Sequence, residues 1–88
     1  MNYQALGEYT AFKKEALSAV DRRNTWVTNL ERDLRRMNLD DRIDADKLRT
    51  RVNEIEKAQH DLNSALARAN EAASQCGQPE LNIALLTR

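Results

Sequence analysis

The sequence predicts an all-α fold, an antiparallel two-helix hairpin of coiled-coil type, and three observations support that prediction. The first is periodicity on both sides of position 41. Backward from Met37, apolar residues run Leu34, Leu30, Val27, Val20, Ala16, Tyr9 and Leu6; forward from Ala45 they run Leu48, Val52, Ile55, Leu62, Leu66, Ala69, Ala73 and Cys76. The steps of three and four mark one face of a helix. The second is that the two series mirror each other. Met37 answers Ala45, Val20 answers Leu62 and Leu6 answers Cys76, each pair of numbers summing to 82. Even the strongly polar interruption is matched, since Arg23 falls opposite Gln59. The third is composition. Charged residues make up 32% and aromatics 5%, with two Gly and one Pro, which suits long, surface-rich helices rather than a β-sandwich or a disordered tail.

Each element has its own signals. Helix 1 is expected over about 2–37, with Asn2 as N-cap, Gly7 weakening its first turns by roughly 1 kcal/mol, and Asn38 able to end it in a left-handed conformation. Residues 38–43 form the turn. Helix 2 is expected over about 44–76. Asp44 is the preferred cap and Asp41 its rival, Asp46 suits the positive pole of the helix dipole, and Ile43 and Leu48 have the spacing of a hydrophobic staple. Gly77 and Pro79 stop it. The apolar tail, 79–88, fits a short helix or a strand equally well, because so short a run has no decisive period. The whole is one domain at most.

The two sides of the seam differ. On one side Glu31 lies near Arg49, Asn24 near Glu56, Leu17 near Asn63 and Thr10 near Asn70, a mainly polar, solvated edge. On the other, Trp26 lies near Ala58, Ala19 near Ala65 and Phe12 near Ala72. Two helices alone leave that apolar side wet, and so small a domain gains from covering it. A helical tail of nine residues reaches only about 14 Å back along the rod. That suffices for Phe12 and Tyr9 but not for Trp26. The expected intermolecular surface is therefore Phe12, Ala19, Trp26, Ala58, Ala65 and Ala72, with Leu81, Ile83 and Leu85 of the tail, closing a dimeric four-helix bundle.

Other constellations are weaker. Arg23 with Gln59 suggests a polar layer that sets register, against the alternative that Arg23 extends outward along its aliphatic stem. His60 has Glu56 one turn away but no further ligand partner, so it is expected on the surface. Cys76, the single cysteine, excludes an internal disulfide, suits a reducing compartment, and sits at the dipole pole that disfavours a thiolate. Arg32, Arg35, Arg36, Arg42 and Arg49 are candidate phosphate contacts at the turn end. With Lys47 and Arg51 they make seven cations, but six carboxylates are interspersed and no stacking aromatic accompanies them.

The chain carries fourteen basic and fourteen acidic residues, so no net field draws it to nucleic acid or an anionic membrane. No phosphate loop, CxxC pair, HExxH or Ser/His/Asp set is present, so no enzyme activity, metal or cofactor is expected. No apolar run suits a membrane span or a signal segment, and a cytoplasmic location follows. Small, neutral, motif-free helical hairpins occur widely as accessory proteins in bacteria and their phages, an association that implies no mechanism. The expected function is protein–protein interaction, as an adaptor, inhibitor or small assembly subunit, with a protein partner and self-association. The alternatives are a nucleic-acid-associated regulator using the arginine-rich turn end and a filament or secretion-type subunit using the apolar tail.

Overall fold

The computed structural model describes residues 2–39 and 42–86, with Asn38 described by its backbone alone. It is a helical hairpin: α1 spans Tyr3–Leu39, α2 spans Ala45–Cys76, and a single turn, α3, spans Ile83–Leu86. The long helices pack against each other along a molecule measuring 61 × 22 × 13 Å, and no strand occurs among the described residues.

The ends of the helices are held by the groups their sequences supply. Asn2 Oδ1 accepts the Ala5 amide at 3.0 Å. Asp44 Oδ1 accepts the Lys47 amide at 3.0 Å, satisfying a backbone donor at the first turn of α2, where Asp46 also lies. At the far end Gly77 takes φ 75°, and the amides of Gly77 and Gln78 both donate to the Ala73 carbonyl. This is a Schellman ending, which a residue without Cβ adopts at no steric cost. One detail differs from expectation. α1 runs unbroken through Asn38 to Leu39, so Asn38 does not end it in a left-handed conformation. The rival cap Asp41 lies outside the described residues, as do Met1, Asp40, Thr87 and Arg88.

The core is made largely of methyl groups. α1 buries Ala5, Tyr9, Ala16, Ala19 and Val20, and α2 buries Ala58, Leu62, Ala65, Ala69, Ala72 and Ala73. Side chains ending at Cβ let two helices approach closely, so each layer is thin but tightly filled. The buried face of α2 therefore includes the alanine column rather than being centred on the heptad seam. This corrects the expected surface: Ala19, Ala58, Ala65 and Ala72 are sealed inside one chain and have no area left for a second.

The seam also drifts. A straight α-helix has 3.6 residues per turn, so a strict seven-residue repeat slips by about 20° per heptad. Toward the N-terminus Ala5 is buried and Phe12 half-buried, beside Leu6 and beside Lys13, the position that the seven-residue repeat sets opposite Ala69. Toward the turn the change runs opposite to that slip: Asp33, covered by Arg51 and Lys47, goes inside and Leu34 is left 46% exposed.

The tail settles into neither of its two expected forms alone. Residues 78–82 carry no helix and run back along the hairpin, and Asn82 then caps α3 through its side-chain oxygen on the Leu85 amide, at 2.9 Å. Leu81 packs on the cluster of Tyr9, Ala69, Ala72 and Ala73, while Ile83 and Leu86 pack on that of Ala16, Ala19, Val20, Leu62 and Ala65. The route passes over Asn70, on the edge expected to be solvated.

Candidate functional site

Polar contacts cross between the long helices. Arg23 Nη1 donates to Gln59 Oε1 at 3.0 Å, in the layer where the mirrored numbering places them. The rest of that guanidinium donates to Asn24 Oδ1, and Gln59 Nε2 donates onward to Asn63 Oδ1 at 2.9 Å. Arg23 thus both crosses to α2 and reaches out along its stem. Nearby, Arg22 and Asp61 meet at 3.4 Å with both side chains about half exposed, a geometry that contributes little.

A second polar contact was not anticipated. Asp33 is only 5% exposed. Its Oδ2 accepts from Arg51 Nε at 3.0 Å, and Lys47 Nζ stands 3.7 Å from Oδ1. The Arg51 hydrogen bond holds the Asp33 carboxyl below its ordinary value of 3.8 against the opposing effect of burial, with the Lys47 charge assisting. The same guanidinium lies over the Trp26 ring, 5.2 Å from its centroid. The signal was present in the sequence. Phe12–Ala72, Ala19–Ala65 and Trp26–Ala58 each sum to 84, and one heptad further the same column reaches Asp33 and Arg51.

Of the remaining expected interface residues, Phe12 is half-buried beneath Arg68, whose guanidinium lies 5.6 Å from the ring centroid. Trp26 is half-buried under Arg51 and belongs to neither cluster that the tail touches. Leu81 and Ile83 are half-buried on their own hairpin, and Leu85 stays exposed. The aromatic side is thus largely satisfied within one chain.

Exposed apolar surface gathers instead near the turn. Leu34 is 46% exposed and Val52 42%, and Leu39 and Ile43 at the tip are more exposed still. The register places Leu34 level with Leu48 and Leu30 level with Val52, and each helix contributes its pair one turn apart. These four side chains therefore form one strip, with Val27 and Ile55 continuing it toward the Arg23–Gln59 layer. Val27, Leu30, Leu48 and Ile55 are each half-buried, so the strip is open along its length.

The candidate phosphate contacts lie at the same end. Arg49 Nη1 is 2.8 Å from Asp46 Oδ1. Arg36 and Arg42 line a shallow depression with Met37 and Lys47, and the Asp33 carboxylate forms part of its wall, where it would repel an incoming anion. Arg32 and Arg35 are exposed on α1. His60 is exposed on the outer face of α2 with Glu56, and Cys76 is half-buried with its Sγ 3.8 Å from the Ala73 carbonyl. Among the described residues no group of three or more His, Cys, Asp or Glu could hold a metal ion. No described helix is long and apolar enough to cross a membrane.

No protein-family model matches the chain, and no curated protein or solved structure matches it significantly.

Proposed function

We propose that this chain is a non-enzymatic protein–protein interaction module that self-associates through the turn-end strip, two hairpins forming a four-helix bundle. The observation behind this reading is the open apolar strip centred on Leu34 and Val52. Contiguous exposed apolar surface on a small domain marks a place where another surface belongs. Covering a large apolar side chain contributes about 1.5–3 kcal/mol when it starts fully exposed, and roughly half of that for Leu34 or Val52. Because a two-fold dimer uses each side chain twice, the strip alone supplies several kcal/mol toward association.

Light scattering across a concentration series tests this. The wild-type chain, 10.1 kDa as a monomer, is expected to scatter at twice that mass at tens of micromolar. Leu34→Glu with Val52→Glu, both at exposed positions, is expected to return it to a monomer with unchanged helical circular dichroism. An unchanged mass in the double variant would overturn the assignment.

A further inference from the structure

The tail is held as a peptide ligand is held. Asn70 engages the main chain of Leu81 on both sides: the Leu81 amide donates to Asn70 Oδ1 at 2.7 Å, and Asn70 Nδ2 donates to the Leu81 carbonyl at 2.9 Å. A carboxamide presents one donor and one acceptor side by side, the complement of an extended backbone. The clamp is blind to side-chain identity, and selection passes to the apolar positions that follow. Leu81 fills one cluster, Ile83 and Leu86 fill the next, and Leu85 points into solvent. The groove thus recognises a segment clamped at its first residue and closing into one helical turn, with apolar residues at its first, third and sixth positions.

We propose that the groove also accepts this segment from a second copy, so that two chains can exchange tails. The occupant is residues 81–86 of the other copy, because that sequence already satisfies every contact the groove makes. Each such contact is the same whether the segment arrives within a chain or between chains. The balance then rests on the hinge. Gly77 has the only positive φ among the described residues, and a Cβ added there would meet nothing within 4 Å. Gln78, Pro79 and Glu80 are exposed and carry no helix. Exchange of an element is a low-cost route to a dimer where the hinge can open while the element keeps its contacts. The clamp and groove lie beyond the Arg23–Gln59 layer from the turn-end strip, so this surface stands apart from the one assigned above.

The test uses the full-length chain carrying Leu34→Glu and Val52→Glu, so that the strip contributes nothing to the measured mass. Gly77→Ala is then added. It leaves every groove contact in place but penalises the left-handed turn that folds the tail back on its own chain. Light scattering is expected to show the mass rise from one chain to two. Adding Asn70→Ala, or an excess of a synthetic peptide of residues 79–88, is expected to return it to one. A helical Gly77→Ala chain that stays monomeric at high concentration would overturn the proposal. So would a dimer indifferent to both Asn70→Ala and the peptide. Should Gly77→Ala lose its helices, the same peptide, unlabelled, titrated into isotope-labelled wild-type chain keeps the test: the labelled chain's own Leu81 amide, displaced from Asn70, is expected to shift, and its constancy at millimolar peptide would overturn the proposal equally.

Discussion

Leu62 is the largest side chain with no exposure at all, and replacing it with alanine tests how this core is held together. It sits among Ala16, Ala19, Val20, Ala65 and Leu86. Leu62→Ala removes three carbons, and at about 0.8 kcal/mol each the lost transfer free energy is about 2.4 kcal/mol. A cavity penalty adds to that. The three alanine neighbours end at Cβ, fixed to the backbone, and cannot reach into the hole; Val20 and Leu86, with Leu66 and Ile83 at the edge of the cluster, can adjust only in part. The expected cost is therefore about 3–4 kcal/mol, within the range of roughly 2.7–5 kcal/mol for buried Leu→Ala changes. A chain of this length has a total stability of about 4–13 kcal/mol, so the loss is a large share of it. At about 4–8 °C per kcal/mol for a domain of this size, the melting temperature should fall by about 12–30 °C. Urea unfolding followed by circular dichroism, fitted with a common slope, measures the change directly. A cost below about 1.5 kcal/mol would refute the tightly filled core, because it would mean that Leu62 leaves little surface and no cavity behind.

Two further expectations concern the turn end. The Asp33 carboxyl is held below its ordinary value in the fold, so its ion pair stabilises fully above the unfolded value near 3.8 and loses that contribution as pH falls through the lower folded value. The melting temperature of wild type minus that of Asp33→Asn should be positive at neutral pH and should shrink below about pH 4; a difference that stays constant between pH 6 and pH 2 would contradict the pairing. Arg51 lies over Trp26 while the tail does not reach it, so Arg51→Ala should red-shift tryptophan emission and Leu86→Ser should leave it in place. Equal shifts from the two variants would mean that the tail shields the indole.

Much of the fold was legible because its determinants are local or periodic. The mirrored seam placed Arg23 opposite Gln59, and the two side chains meet. Asp44 and Gly77 marked the limits of α2 because capping and a left-handed ending depend on one residue each. Part of what was misread came from treating a straight helix as if its repeat were seven residues per two turns, which brings Ala5 and Phe12 inward beside Leu6 and Lys13. Toward the turn the change runs the other way, because Arg51 and Lys47 draw the Asp33 carboxylate in. The alanine column was assigned to a partner because its residues lie beside the seam; the small radius of alanine lets α1 cover that column unaided. Asn70 looked like a solvated edge residue, since nothing in its neighbours along the chain distinguishes a carboxamide facing water from one facing a returning backbone. The candidate surface moved accordingly, from the Trp26 side to the Leu34–Val52 strip.

The alanine column also separates adhesion from alignment. Ala58, Ala65 and Ala72 lie seven residues apart, so sliding α2 by one heptad would put an alanine where an alanine had been and change the methyl packing little. The polar pairs would not survive the slide. Asp33 would exchange Arg51 for Ala58 in one direction or Asp44 in the other, and Arg23 would exchange Gln59 for Leu66 or Val52. Each alternative sets a charge against an apolar side chain or two carboxylates together, and both arrangements are disfavoured. The alanine column would tolerate a heptad offset; Leu62, which the slide would exchange for Ala69 or Ile55, and the four polar side chains would not.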